Sequence, residues 1–381
     1  MPSFVFHSGP TVLSGAGRAA GLADLLPPGP LLFVTDAGVC GLGLADACLN
    51  ALQASGREVA IFDAVEADPS RATLMAAVEA GRAANAAAVI GFGGGSPMDV
   101  AKLAAYLLGS DDELDSIWGV DQASGARLPL ALVPTTAGTG SEATPISVIT
   151  CEGGVKMGVN ARPLIADWAV LDAELTLGLP RHVTAATGID AIVHAVEAYT
   201  SARLKNPISD ALAREALRLL HTNLLTACDE PGNLEARSAM LLGAHLAGLA
   251  FANAPVAGVH ALAYPLGGLH HLPHGLSNAL MLRHVLGHNL EAARELYAEL
   301  APIVDPDCEE QGTQARAAVL IESLDQLASA TGLPLRLRDH GIAFNEAPLL
   351  AREAMRQTRL LVNNPVEITE TDARWLYEAA W

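Results

Sequence analysis

Ala86-Ala87-Ala88-Val89-Ile90-Gly91-Phe92-Gly93-Gly94-Gly95-Ser96-Pro97-Met98-Asp99-Val100-Ala101-Lys102 runs from a short apolar stretch, through glycines, into a helical pattern. A brief apolar run bounded by turn residues reads as a buried strand. Ser96 is expected to cap the following helix, with Pro97 at its first position. Glycines let the backbone approach a ligand closely, and a helix N-terminus offers N–H groups to an anion such as pyrophosphate. The turn departs from Gly-x-Gly-x-x-Gly because its sixth position is Ser96. A plain strand-to-helix turn with no ligand explains it equally well.

Outward from this stretch the pattern repeats. Pro30 to Asp36, Glu58 to Asp63 and Leu128 to Pro134 read as further strands, with helices over Asp46 to Ser55 and Ser70 to Ala84. Alternating strands and helices predict a mostly parallel sheet covered on both faces, an α/β fold. Ligands of such sheets bind outside the carboxyl ends of the strands. At the end of one strand, Pro134-Thr135-Thr136-Ala137-Gly138-Thr139-Gly140-Ser141-Glu142 offers small hydroxyl donors on a tight path. Asp36, at the end of another, is placed to accept from both hydroxyls of an adenosine ribose. Its charge would repel a 2′-phosphate, which favours NAD over NADP. An Asp that merely caps a helix would look the same.

Beyond Pro180 the texture changes to long Ala/Leu-rich segments: Asp210 to Thr226, Leu234 to Phe251 and Ala315 to Ala330. This predicts two domains, an α/β domain over residues 1–180 and an all-helical domain over residues 181–381. Val304 to Gln311, acidic and proline-containing, reads as a loop.

The helical half holds the metal-like chemistry. In Gly188-Ile189-Asp190-Ala191-Ile192-Val193-His194 the carboxylate and imidazole are four apart, so a helix points both the same way. Gly258 to Gly275 contains four of the twelve histidines: His260, His270, His271 and His274. One Asp with several His suits zinc or ferrous iron. The proposed ligand set is Asp190, His194, His260 and His274. His270 and His271 are adjacent, and neither a helix nor a strand aims both at one ion. Taken singly, any of these histidines would pass for an ordinary core or capping residue.

Composition narrows the class. The 381 residues carry a formal net charge of −19, which argues against nucleic acid or an anionic membrane as partner. Charged residues are only 17%, pointing to extensive buried surface and a subunit interface. Five scattered cysteines without a Cys-x-x-Cys pair suit reduced thiols of a cytoplasmic protein. No signal peptide or membrane-spanning run is visible in the sequence.

Together these residues resemble the iron-containing (group III) alcohol dehydrogenases over nearly the whole chain. Gly93 to Lys102 and Pro134 to Glu142 look like that family's two cofactor motifs. The Asp190/His194 helix and the His260 to His274 segment look like its two metal signatures. The resemblance implies a nucleotide-binding α/β domain, a helical domain, a metal in the cleft between them, and dimers or larger homo-oligomers. It implies metal ligands at Asp190, His194, His260 and His274, with Fe2+ favoured over Zn2+. It implies NAD contacts at Asp36, Gly94, Gly95, Ser96, Asp99, Thr135, Thr136, Thr139 and Ser141, and Lys156 near the nicotinamide ribose. The implied reaction is hydride transfer between the nicotinamide C4 and a metal-bound alcohol, aldehyde or ketone.

Two departures stand out. Tyr264 occupies the place where many members have a second histidine that relays the substrate proton. Tyr264 shares the helix face of His260, so its phenol, helped by His270 or His271, becomes the candidate catalytic group. With an ordinary pKa near ~10, Tyr carries protons less readily at neutral pH than His. Asp68-Pro69 replaces the usual Asn-Pro, expected near the adenosine. Among rivals, an oxo-acid reductase like maleylacetate reductase would need basic residues at the substrate, with Arg162, Arg181 and Arg283 as candidates. A lyase like dehydroquinate synthase would need a Lys/Arg cluster that Asp190 to His274 lacks. A non-catalytic NAD sensor would keep the glycine turns without a working metal site.

Overall fold

The computed structural model describes residues 3–381. They form two compact units: Ser8–Leu177, and Gly178–Trp381 together with residues 3–7. Residues 3–7 join the helical unit through His7 and Asn253, whose side chain accepts from the His7 N–H at 2.6 Å and donates to its carbonyl at 3.0 Å.

The first unit contains β1 (Thr11–Ser14), β2 (Leu31–Val34), α1 (Ala37–Gly41), α2 (Asp46–Ala54), β3 (Val59–Phe62), α3 (Arg71–Ala83), β4 (Ala88–Gly93) and α4 (Gly95–Gly109). It continues with β5 (Gly119–Val120), β6 (Leu130–Pro134), β7 (Ile146–Thr150), β8 (Lys156–Asn160) and β9 (Trp168–Leu171). Six strands pair in parallel in the order β1-β9-β6-β4-β2-β3. Alternation along each strand separates two cores. Leu32, Val34, Val89 and Leu132 pack with α3 and α4, whereas Leu31, Phe33, Ile90 and Val133 pack with α2 and residues 18–26.

Strand order fixes where a ligand can sit. From β2 the chain moves outward to β3, then crosses back to β4 on the other side and proceeds to β6 and β9. The winding reverses between β2 and β4, and in open α/β sheets the crevice at that reversal holds the ligand. Asp36 follows β2 and the glycine turn follows β4. The four expected strands are present. Thr11–Ser14 and Trp168–Leu171, four residues each like β2 and β3, add two further strands to the same sheet. A second small sheet, β5-β8-β7, carries Lys156.

The second unit is helical: α5 (Arg181–Thr200), α6 (Pro207–Asp229), α7 (Leu234–Asn253), α8 (Gly258–His270), α9 (His274–Val304), α10 (Thr313–Ala330), α11 (Ala347–Ala354), α12 (Thr358–Leu361) and α13 (Glu370–Ala379). Its starts are written in the sequence. Asn206 accepts from the Ser209 N–H ahead of Pro207, and Asn233 caps α7 by accepting from Ala236. Helix α5 packs against α6, α7 and α9, and small residues permit the close approach. A Cβ on Gly275 would meet the Ala186 carbonyl oxygen at 2.3 Å, so only glycine lets α9 begin against α5. Among the described residues, no single helix is long and apolar enough to cross a membrane.

Candidate active site

At the carboxyl end of β4 the chain turns on Gly93, whose φ of 149° suits glycine alone. A Cβ there would crowd Pro97 Cγ at 2.8 Å and Asp36 Oδ2 at 3.2 Å, so Asp36 lies directly beside the turn. Asp36 also caps α1, its Oδ1 accepting from the Val39 N–H at 2.9 Å. Capping and proximity to the turn therefore occur together, with Oδ2 directed toward the glycines.

The cap of α4 differs from the expectation. Helix α4 begins at Gly95 with Gly94 as its extended N-cap (φ −75°, ψ −164°), so Ser96 and Pro97 lie inside the first turn. Ser96 is not the cap, and Pro97 is not the first helical residue. Proline fits because its fixed φ is helical and first-turn N–H groups need no internal acceptor. With a glycine cap, no side chain competes for the first-turn donors, which is the arrangement an anion needs.

The second loop lies against the first. The Thr135 N–H donates to the Gly93 carbonyl at 2.9 Å. Cβ atoms added to Gly94 and Gly95 would come within 3.7 Å of Thr136 Oγ1 and 3.0 Å of Thr139 Cγ2. Gly94, Gly95, Ser96, Thr135, Thr136 and Thr139 thus share one small region. Asp99 and Ser141 are turned toward each other instead: Ser141 Oγ donates to Asp99 Oδ1 at 2.6 Å, and the Val148 N–H donates to Oδ2 at 2.9 Å. Lys156 pairs with Asp68 at 2.6 Å. The sequence reading set these two at opposite ends of a dinucleotide, and the fold sets them side by side.

In the helical unit three helices converge. Helix α5 supplies Asp190 and His194, the first turn of α8 supplies His260, and α9 begins at His274. One ligand atom from each lies within 4.8 Å of the others. Asp190 Oδ1 is 3.9, 3.8 and 3.6 Å from Nε2 of His194, His260 and His274. An ion about 2.1 Å from four tetrahedral donors separates them by about 3.4 Å, so the Asp190–His distances need to shorten by a few tenths and the widest pair of the set by up to about 1.4 Å to close on one ion. Asn278 Nδ2 lies 2.6 Å from Asp190 Oδ1, 3.2 Å from His260 Nε2 and 3.3 Å from His274 Nε2. A donor that reaches three of the four ligand atoms shows that their lone pairs converge. Three imidazoles and one carboxylate fit iron(II) or zinc better than magnesium or calcium, which prefer oxygen. Burial alone would raise the Asp190 pKa, yet the charges of His194, His274 and His260 hold it below the usual carboxylate range.

Glu197 and Asn278 went unassigned in the sequence. Glu197 Oε2 accepts from His260 Nδ1 at 2.6 Å and from the Ala257 N–H at 3.0 Å, while Oε1 accepts from the Val259 N–H at 2.6 Å. That carboxylate fixes the ring so that Nε2 faces the cluster, a common arrangement for metal-bound histidines. Helical spacing was the available signal: 190, 194 and 197 share one face of α5, and 274 and 278 share one face of α9. Phe251 stacks on His194 with ring centroids 4.4 Å apart.

Tyr264 reaches the cluster, its ring packing edge-on against His274 at 6.0 Å. His274 is also the most open ligand, its side chain 40% exposed. His270 and His271 are not among the four converging residues. His270 Nε2 is 3.3 Å from Glu346 Oε2, and His271 is the exposed left-handed cap that ends α8. Of the arginines an oxo-acid substrate would require, Arg181 is paired with Asp229 and Arg283 with Asp325, while Arg162 lines a hollow of the α/β unit with Arg127 and Asp167.

Comparison with known proteins agrees with this geometry. Residues 9–173 match the iron-containing alcohol dehydrogenase family, and residues 184–381 match the C-terminal part of the Fe-containing alcohol dehydrogenase family. Long-chain-alcohol dehydrogenase 1 of Geobacillus thermodenitrificans is 40% identical over 354 residues, covering 92% of this chain and 89% of that protein. A crystal structure of 1,3-propanediol oxidoreductase superposes with a TM-score of 0.95 at 33% identity, covering all of both chains. The sulfoacetaldehyde reductase of Bifidobacterium kashiwanohense, solved in complex with NAD+, gives a TM-score of 0.87 at 29% identity, over 100% of this chain and 99% of that one. The chain therefore belongs to the iron-containing alcohol dehydrogenase family and is an oxidoreductase whose Asp190, His194, His260 and His274 could hold one metal ion.

Proposed function

We propose that this enzyme interconverts small or medium primary alcohols and their aldehydes, or secondary alcohols and their ketones, using NAD(H), with iron(II) rather than zinc as its metal. The observation that carries the reading is the convergence of Asp190, His194, His260 and His274 within 4.8 Å, with Glu197 orienting His260. In this reading the α/β unit holds NAD and the helical unit holds the metal and substrate. The enzyme acts as a cytoplasmic homodimer or larger homo-oligomer.

A divalent metal held by these four residues supplies Lewis acidity to the oxygen of an alcohol or carbonyl. The chain's own groups do the rest. Glu197 holds the His260 Nδ1 proton, so Nε2 keeps its lone pair for the ion. Phe251 covers one face of His194 and excludes water there. Tyr264, against His274, is placed to pass the hydroxyl proton toward solvent. At the glycine turns, the uncapped first turn of α4 receives the pyrophosphate, Thr136 and Thr139 add hydroxyl donors, and Asp36 Oδ2 accepts from the adenosine ribose, selecting NAD over NADP. Lys156, drawn into its pair with Asp68, lies at the nicotinamide ribose.

The apolar setting supports neutral substrates: Phe251 and Tyr264 line the cluster, Arg181 and Arg283 are already paired, and Arg162 lines a hollow with residues from 121–127 and 163–167 instead. The test is NADH formation from a panel of primary alcohols, diols and hydroxy acids, before and after chelation. The expected result is turnover of neutral alcohols, lost on chelation and restored by iron. Preference for hydroxy acids, or activity indifferent to chelation, would refute the reading.

A further inference from the structure

Lys102 presents a problem that packing does not solve. It lies in the second turn of α4, and its side chain is 0% exposed. Its ammonium donates to Ser141 Oγ at 2.7 Å, to the Ile146 carbonyl at 2.7 Å and to Thr144 Oγ1 at 3.3 Å, so all three N–H bonds are used. Asp99 Oδ1 lies 3.7 Å away and accepts from Ser141 Oγ, while Asp99 Oδ2 accepts from the Val148 N–H. Ser147 Oγ donates to the Asp99 carbonyl at 2.8 Å. The start of α4, the loop after β6 and strand β7 are therefore tied by one buried network. Its charges are Lys102, Asp99 and the nearby Glu142.

Such a network is an expensive way to make a core. Burial raises the Asp99 pKa and pushes Lys102 down to about 8, against the attraction of Asp99 and Glu142. Well-packed uncharged residues of similar volume commonly serve a core as well or better than a buried ion pair. The network does, however, join the two loops that carry Gly94, Gly95, Thr136 and Thr139.

We propose that Lys102 and Asp99 are positioning residues for the dinucleotide, locking the Thr135–Ser141 loop against the glycine turn without touching the cofactor themselves. The inference rests on reading those two loops as the seat of NAD. It gives Asp99 and Ser141 a different task from direct cofactor contact. The ammonium sets the spacing, Ser141 passes the constraint to Asp99, and the threonine hydroxyls and first-turn N–H groups then meet the ligand without further reorganisation.

The test compares the intact enzyme with the double variant Asp99→Asn/Lys102→Met, with Lys102→Arg, Ser141→Ala and Gly95→Val. NADH affinity is read by fluorescence titration, and melting temperature and metal content are read on the same samples. The double variant is expected to melt at or above the wild-type temperature and keep its metal, while its NADH Kd rises about tenfold or more. Lys102→Arg, which keeps the charge and donors, should lose less, and Ser141→Ala should weaken binding several-fold. A purely structural role would lower the melting temperature and leave the affinity of the folded protein unchanged. If the double variant does not fold, Ser141→Ala decides. The proposal is overturned if the folded variants bind NADH within twofold of wild type while Gly95→Val loses it. Unchanged binding in Gly95→Val as well would overturn the reading of the loops themselves.

Discussion

The two units make their sites by opposite means. In the α/β unit the site is mostly backbone: Gly93 turns where no side chain fits, Gly94 leaves the α4 donors uncapped, and Thr135 anchors its loop through a main-chain hydrogen bond. In the helical unit the site is all side chains, brought from three helices and as much as 84 residues apart in sequence, from Asp190 to His274. A backbone site depends on the path of the chain and on the side chains that hold that path. A side-chain site fails when a single ligand goes.

That contrast can be broken most severely at the metal centre. His260→Ala removes one ligand and strands Glu197 without its imidazole. Turnover should fall by at least about 1,000-fold with metal content near zero, while NADH affinity stays within about twofold of wild type. Parallel loss of NADH binding in steady-state and titration measurements would mean that the two sites are not separable.

Next in size is the outer support of the same centre. Glu197→Gln keeps the shape but loses the charge that holds the His260 Nδ1 proton, and metal affinity should drop roughly 10–100-fold. Competition with a chelator measures this directly, and an unchanged affinity would reduce Glu197 to a buried cap for the start of α8.

Glycines sharpen the comparison. Gly275→Ala forces a Cβ against the Ala186 backbone and should cost about 3 kcal/mol in denaturant unfolding. Gly93→Ala places alanine at a φ of 149° and should cost about 2 kcal/mol, but with a much larger fractional loss of NADH affinity than of metal. Equal loss of both ligands in both variants would show general unfolding rather than local damage.

The smallest effect is a pH dependence. Lys102 has a pKa of about 8 when folded, against 10.5 as the ordinary value. Below pH 8 both states are protonated, and the cost of burying the charge is fully present. Between about 8 and 10.5 the folded chain gives up its proton first, so the unfolding free energy rises with pH. Relative to wild type, Asp99→Asn/Lys102→Met should lose that rise, a difference of about 2–4 °C in melting temperature across the window. Parallel melting curves across that pH range would contradict the assignment.

Sequence legibility follows the same division. The glycine turn, the strands at β2, β3, β4 and β6 and the four metal-type ligands could be read, because each depends on local spacing or on rare residue types. The strands Thr11–Ser14 and Trp168–Leu171 were not read: they are as short as β2 and β3, and Thr11–Ser14 is half polar and mostly exposed, so it lacks the buried apolar run that marks those strands. The α4 cap was misplaced because Ser96 is a good cap by type, whereas the extended residue is Gly94. Glu197 and Asn278 were missed because a lone acidic or amide residue on a helix ordinarily faces solvent. Only the fold shows that these two are buried among histidines. His270 and His271 were drawn in by proximity along the chain, yet the left-handed cap at His271 ends α8 before His274 turns back toward Asp190.

The central claim is that one ion is held by four side chains of the helical unit, independently of the glycine turns. Its most direct test is elemental mass spectrometry of anaerobically purified wild type and His194→Ala, with NADH titration on the same samples. The account predicts about one iron per wild-type chain, almost none in the variant, and similar NADH affinity in both. A wild-type protein that binds no metal, or a His194→Ala variant that retains all of it, would contradict the account.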